Sequence, residues 1–366
     1  SAEGEGALRA QAARLRTHVS ERPELEPADV GFSLATTRSR HRHRAVVLAR
    51  DRAGFLDGLA ALASGGTLPN VVQGTAETRG GTAFVFPGGQ GAQWAGLGRE
   101  LADSSAAFAE RLAACAEALE PHVEWSLSEV LRGRPGAPPP ERADVAQPVA
   151  WAGMVALAEL WRSQGVRPTA VMGEGEGEIS ALHIAGALSL EESAQVVALR
   201  GRMAVGSAER RAKDAEERAP DAQIGVSARG ADVPYFCTAE GDWLATEGIG
   251  ARYWCRDDRS PGGLGEAARA LVRKGCGFLI ELGAHHDSTP DLEKSVDAAD
   301  SGAVVLRSFG RGEDGLHRFL ASLCEAHTRG LSPDWNAVFA GTGASRVDLP
   351  TYAFQRQRYW LGDIDA

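Results

Sequence analysis

The sequence of 366 residues contains no run of about 18 apolar residues, so it predicts no membrane-spanning helix. Its first residues lack the apolar core of a signal peptide, which argues against secretion. The 5 cysteines are scattered and form no C-x-x-C pair, a usage typical of a reducing compartment. These absences together predict a cytoplasmic protein.

Positive charge is also scarce. There are 39 Lys and Arg against 49 Asp and Glu, which gives a formal net charge of -10. Because phosphate backbones are bound by clustered positive charge, this balance argues against a nucleic-acid partner. The basic run at residues 38–44 is the exception, and it is interpreted either as a solvated turn or as a contact surface for an acidic partner.

The hydrophobic pattern is that of an α/β protein of about two domains. A helix over residues 8–19, a strand over 45–49 and a helix that begins after Asp51 make a small α/β unit near the N-terminus. A second apolar strand, residues 82–86, runs into a glycine-rich turn. Helices are further predicted over residues 101–119 and, beginning at Pro148, up to residue 162.

The most informative stretch is the corner Gly173-Glu174-Gly175-Glu176-Gly177, which follows a short apolar strand and precedes a helix. A strand that enters a helix through such a corner is the setting of the nucleophile elbow, G-x-S-x-G. Here glycine stands at the centre, and glycine offers no nucleophilic atom. The pattern therefore predicts the scaffold of an acyl-transfer enzyme without its nucleophile.

Residues 173–203 resemble the acyltransferase domain of modular polyketide synthases, whose elbow usually reads G-H-S-x-G-E. The resemblance implies an acyltransferase-like core of the α/β-hydrolase type. It places Gly175 at the position of the serine and Glu174 at that of the neighbouring histidine. Arg200 matches the arginine that pairs with the free carboxylate of a malonyl-type substrate.

Two further stretches carry the resemblance. Residues 84–94 are similar to the family's F-P-G-Q-G-x-Q-W, with one extra glycine, which implies that Gln90 lies beside the oxyanion site. Residues 278–286 are similar to a strand that ends in E-x-x-P-H-P, which places His285 at the family's histidine. Neighbouring strand residues face opposite ways, so His285 and His286 are interpreted as structural or vestigial rather than as zinc ligands. The expected vestigial substrate site is Gln90, Glu176, Arg200 and His285, with no cofactor and no metal.

One family element cannot be located. After the Arg200 helix, family members carry a small ferredoxin-like subdomain that ends in a motif with the catalytic histidine. Here a short charged stretch, residues 208–218, leads to residues 233–238, which match text that normally follows the subdomain. The expectation is a core that lacks the subdomain and the general base.

The ends of the chain extend the resemblance. Residues 34–38, 43–47 and 59–62 resemble the linker domain between ketosynthase and acyltransferase, and residues 347–361 resemble the post-acyltransferase linker. The expected division is a linker domain at 1–80, the truncated core at 81–330 and the C-terminal linker at 331–366. The last segment is expected to anchor on a neighbouring surface through its aromatic and basic residues.

Three functions are left open. The first is an inactive acyltransferase-like domain that acts as a scaffold for the ketosynthase domain and the acyl carrier protein. The second is a docking module for a carrier protein or a separately encoded, trans-acting acyltransferase, through residues 38–44 or 208–218. The third is a residual malonyl or acyl transferase, or a hydrolase, with Glu174, Glu176 or Cys237 as replacement group.

Overall fold

The structure is a computed structural model that describes residues 1–88, 91–211, 225–254, 263–284, 288–299, 301–309 and 315–355. The chain divides into two compact units. The first unit combines Ser1–Glu77 with His327–Ala366, and the second is Thr78–Ala326. The expected boundaries at 80/81 and 330/331 stay a prediction, but the C-terminal segment packs with the N-terminal one.

The described residues form the following helices: α1 (Glu5–Ser20), α2 (Pro27–Thr37), α3 (Arg52–Ser64), α4 (Gly91–Ser104), α5 (Ala106–Leu119), α6 (Leu127–Leu131), α7 (Ala143–Ser163), α8 (Gly177–Ile184), α9 (Leu190–Arg211), α10 (Ala251–Trp254), α11 (Leu264–Arg273), α12 (Thr289–Asp297), α13 (Gly315–Arg329) and α14 (Trp335–Val338). A single 3₁₀ turn, Glu120–His122, follows α5. The strands are β1 (His43–Val47), β2 (Val71–Thr75), β3 (Gly81–Phe86), β4 (Ala170–Gly173), β5 (Tyr235–Cys237), β6 (Asp242–Trp243), β7 (Cys276–Glu281) and β8 (Val304–Arg307). None of the described helices is long and apolar enough to cross a lipid bilayer.

In the first unit, an antiparallel pair, β1 and β2, accompanies α1, α2 and α3. The predicted α1 is confirmed, and Asp51 caps α3 by accepting a hydrogen bond of 2.7 Å from the backbone N–H of Gly54. The strand predicted at 45–49 lies two residues earlier, and its partner β2 was not predicted. Helix α2 begins at Pro27, because the first turn of a helix needs no N–H from that residue.

The C-terminal segment is anchored on its own N-terminal unit. Val347 and Leu349 pack against a core that α1, α2 and α3 supply. The guanidinium of Arg38 donates to the carbonyl oxygens of Leu349 and Pro350 at 3.0 and 3.1 Å. The N–H of Ala353 donates to the side chain of Gln11 at 2.9 Å, and that of Glu3 donates to the Tyr352 hydroxyl at 3.1 Å. Residues 345–353 therefore form a strap that is held by apolar packing and by hydrogen bonds.

We expect Leu349→Ala to loosen this strap, because it removes the apolar contact without removing the carbonyl that Arg38 binds. The substitution should raise amide hydrogen exchange over residues 345–353 about tenfold, which corresponds to roughly 1.4 kcal/mol of local opening free energy. Asp348→Ala is the matched control, since that side chain is exposed. Equal exchange in both variants would show that Leu349 contributes nothing to the anchoring.

The second unit is built on a six-stranded sheet with the order β6-β5-β4-β3-β7-β8. All neighbouring pairs are parallel except β5 and β6. The central strands β3, β4 and β7 are almost completely buried, which is why they appear as short apolar runs rather than as alternating patterns. The predicted α/β class is confirmed.

Two helix predictions in this unit need correction. The helix expected over 101–119 is two helices, because Ser105 leaves the helical conformation and caps α5 through the N–H of Phe108. The helix expected to open at Pro148 begins five residues earlier, at Ala143, and contains Pro148 in its second turn. Helix α7 is buried on most of its surface and contacts α4, α5 and α9.

The connection between α9 and β5 is short. Helix α9 ends at Arg211 and β5 begins at Tyr235, so 23 residues lie between them. A single βαβ unit needs about 30 residues or more. A ferredoxin-like subdomain, which contains two such units, therefore does not fit in this connection, and the predicted core without that subdomain is the one observed.

Candidate functional site

The strand–turn–helix corner predicted from the sequence is present between β4 and α8. The N–H of Glu174 donates to the carbonyl of Phe86 at 2.9 Å, and the N–H of Gly177 donates to that of Glu174 at 2.9 Å. A side chain on Gly173 would collide with the backbone of Glu178, and one on Gly177 with the carbonyl of Phe86. Both outer glycines are thus required by the close approach of β3, β4 and α8.

The central residue, Gly175, lies in the left-handed region with φ of 54°. This is the strained conformation in which a nucleophile elbow presents its side chain above the sheet. A Cβ at this position would lie 3.6 Å from the Cα of Gly88, an ordinary contact distance. The backbone of the elbow and the room for a side chain are both present, and the side chain is missing.

Arg200 lies on α9 and reaches back to this corner. Its guanidinium Nη1 donates to the carbonyl oxygen of Gly175 at 3.4 Å and lies 3.9 Å from Oε2 of Glu178. Burial lowers the pKa of Arg200, while the negative charge of Glu176 opposes that shift. The structure therefore brings Arg200 to the elbow, as expected, but a protein carboxylate lies beside its guanidinium.

Glu178 is the centre of a buried polar cluster that the sequence did not predict. Its side chain is 3% exposed. Oε1 accepts hydrogen bonds from the hydroxyl of Tyr235 at 3.0 Å and from that of Tyr253, and Sγ of Cys237 lies 3.6 Å away. The tyrosines are 57 and 75 residues away in sequence, so only the pairing of β5 with β4 and the placement of α10 bring them here.

Removal of the Glu178 charge tests the role of this cluster in stability. We expect Glu178→Ala to lower the free energy of unfolding by about 3 kcal/mol, because a buried guanidinium loses its counter-charge and two tyrosine hydroxyls lose their acceptor. Glu178→Gln keeps an acceptor and should cost less. The measurement is urea unfolding, with Glu176→Ala on the half-buried side of the turn as control; a loss as large in the control would assign the effect to the corner in general.

Acidic side chains also line the outer side of the turn. Glu174 and Glu176 are partly buried, and Oε2 of Glu176 lies 3.4 Å from the position that a Cβ on Gly88 would occupy. Burial raises the pKa of Glu174, and the neighbouring charge of Glu176 raises it further. Negative charge at this position repels an anionic substrate, which is the opposite of what a malonyl group requires.

Two predicted site residues lie outside the described residues: Gln90 and His285. Nothing in the structure tests their proposed roles, and they stay predictions. Among the residues that the structure does describe, no group of three or more His, Cys, Asp or Glu could hold a metal ion. Cys237, the alternative thiol nucleophile, is completely buried on β5.

Glu281 marks the end of β7, the strand that leads to His285. It is 1% exposed, and its Oε2 accepts a hydrogen bond from the hydroxyl of Thr289 at the start of α12. Burial raises the pKa of Glu281 to about 7, and hydrogen bonds from Thr289 and Ser288 limit the rise. A buried carboxyl whose pKa is raised to about 7 thus connects the end of β7 to the start of α12.

This shift has a pH-dependent consequence for stability. The folded protein holds the Glu281 proton up to about pH 7, whereas the unfolded chain loses it near pH 4.5. The stability contributed by the protonated carboxyl is therefore complete at low pH and falls as the pH rises through this window. Glu281→Gln should match the parent at pH 4.5 and be more stable at pH 8, by up to about 3 kcal/mol.

Urea unfolding of both proteins at pH 4.5, 6 and 8 measures this difference. Glu266→Gln, at an exposed position of α11, is the control. A stability difference between Glu281→Gln and the parent that does not change with pH would contradict the assignment.

Comparisons with known proteins agree with this geometry. Residues 83–225 match the family of acyl transferase domains, and residues 1–59 match the CurL-like C-terminal family of polyketide synthases. Among solved structures, the acyltransferase domain from module 8 of the salinomycin polyketide synthase is similar with a TM-score of 0.81 and 37% identity, over 92% of this chain and 96% of that one. The fold of this chain is thus shared with an acyltransferase domain over nearly its whole length.

The chain belongs to the acyltransferase domains of modular polyketide synthases. Polyketide synthase GfsE of Streptomyces halstedii is 45% identical over 97% of this chain, and erythronolide synthase EryA2 of Saccharopolyspora erythraea is 37% identical over 99%. The chain spans only 11% and 12% of the length of these relatives. The alignment with GfsE extends over 430 positions, which exceeds the 366 residues of the chain by 64. A deletion relative to GfsE is therefore present.

Proposed function

We propose that this chain is a catalytically inactive acyltransferase-like domain that serves as a structural scaffold within a polyketide synthase. The observation that carries the proposal is Gly175 at the tip of a complete elbow, with φ of 54° and no side chain. An acyl-enzyme needs a nucleophilic atom at this point, and glycine provides none. Cys237 is buried in the polar cluster of Glu178, where an acyl-CoA has no access.

A second line of support is the shortened connection between α9 and β5. In the resemblance drawn from the sequence, the histidine that activates the serine belongs to the subdomain missing here. A serine without a base is a weak nucleophile at neutral pH. On this proposal the protein lacks both the nucleophile and its base. A single substitution such as Gly175→Ser would restore only the nucleophile.

The third line of support is electrostatic. Arg200 is held beside Glu178 and the Gly175 carbonyl, and Glu174 and Glu176 add negative charge around the turn. A substrate carboxylate would have to displace one carboxylate and approach two others. The site is therefore poorly suited to a malonyl group, even though its arginine is present.

The scaffold role is supported by what remains. The sheet and the elbow are intact, and the strap at residues 345–353 is fixed on the first unit. A folded domain with these two features can serve as a scaffold without any chemistry at the elbow.

Intact-protein mass spectrometry after incubation with malonyl-CoA and methylmalonyl-CoA tests the proposal. We expect no adduct on the parent protein, because Gly175 offers no nucleophilic atom at the elbow, and none within minutes on Gly175→Ser, because the base is missing. Gly175→Ala is the matched control: it introduces the same strained Cβ without a hydroxyl.

Each outcome has a distinct meaning. An adduct on the parent protein would overturn the proposal, and peptide mapping would identify the replacement nucleophile. A rapid adduct on Gly175→Ser alone would show that the acyl-CoA pocket works without the subdomain, and that the serine is the only catalytic group lost.

A further inference from the structure

The first unit contains a basic crevice that the acyltransferase resemblance does not explain. It has a volume of about 190 Å³ and lies between the end of α2, the turn after it and the start of α14. Its lining includes Arg38, Arg40, Asp334, Trp335, Asn336 and Arg346. Three arginines thus line one small concave site in a chain whose net charge is -10.

These three arginines are not equivalent. Arg38 is held in place by its two hydrogen bonds to the strap. Within the part of the chain that the structure describes, Arg40 and Arg346 have no hydrogen bond and no ion pair with another side chain. The acidic residue of the crevice, Asp334, uses Oδ1 to cap α14 through the N–H groups of Asn336 and Ala337. Two guanidiniums therefore remain to bind an anion.

The charge of Arg40 also acts on the groups behind the crevice. Burial lowers the pKa of Arg44, and Arg40 lowers it further. Burial lowers the pKa of His327 to about 4, with Arg44 and Arg40 contributing in the same direction. Arg40 therefore adds positive potential at these two neighbouring groups.

The size and donors of the crevice indicate its ligand. A planar guanidinium group can donate two parallel hydrogen bonds to two oxygens of one phosphate. This pair of bonds is stronger and more selective for geometry than a bond from a single donor. A stable protein partner would need about 800 Å² of surface on this unit, whereas the crevice is a small cavity that fits a compact ligand. We propose that this crevice binds a small phosphorylated anion through Arg40 and Arg346, with Arg38 and the Asn336 amide as further donors.

Isothermal titration of the full chain with sodium phosphate, and separately with sodium pyrophosphate, tests this assignment at constant ionic strength. We expect saturable binding of one anion per chain, tighter for pyrophosphate if both guanidiniums are used. Arg40→Gln/Arg346→Gln should weaken binding at least about tenfold, since charge-assisted hydrogen bonds are the strong ones. Asn336→Asp should weaken it as well, by adding negative charge without removing an arginine.

Arg16→Gln/Arg132→Gln is the matched control, because it removes two exposed arginines outside the crevice and changes the net charge equally. Its binding should equal that of the parent. The proposal is overturned if no saturable binding is found, or if the control pair weakens binding as much as the crevice pair. It is also overturned if an acidic carrier protein binds in a way that requires Arg40 and Arg346 while neither phosphate nor pyrophosphate binds. Because the crevice lies in the first unit, none of these results affects the assignment of the elbow.

Discussion

The close approach of β3, β4 and α8 is the constraint on which the second unit depends. Gly173 and Gly177 leave no room for a Cβ, because the backbone of Glu178 and the carbonyl of Phe86 occupy that space. The parallel register that pairs Phe86 with Gly173 fixes this geometry. The corner is therefore determined by backbone packing at its two outer positions, and its shape does not depend on which residue lies at its tip.

Because the two outer glycines fix the corner, the fold can tolerate glycine at its tip. A serine at position 175 would be strained at φ of 54°, and glycine removes that strain. The substitution therefore costs the fold little. Arg200 is retained on similar grounds: a buried guanidinium needs a counter-charge, and Glu178 with its two tyrosine donors supplies one. Arg200 thus has a structural role in this protein that does not depend on substrate binding.

Features with local signals were predictable from the sequence. The helix expected after Asp51 is present, and the Asp51 side chain accepts a hydrogen bond of 2.7 Å from the N–H of Gly54. The glycine frame of the elbow and the reach of Arg200 were predicted by motif. The pairing of Glu178 with Tyr235 was not, since it arises from the register of β4 with β5.

The missing subdomain is tolerated because it would join elements that are positioned without it. Helix α9 contacts α5, α7 and α8, and β5 forms its ladder with β4. Both ends of the connection are thus fixed by the sheet and the helical layer, so the length of chain between them can change with little loss of core packing. Catalysis has no such independence, since a base must lie within hydrogen-bond reach of its nucleophile. The length of this one connection can therefore change while the domain stays folded, which is the condition that the proposed scaffold must meet.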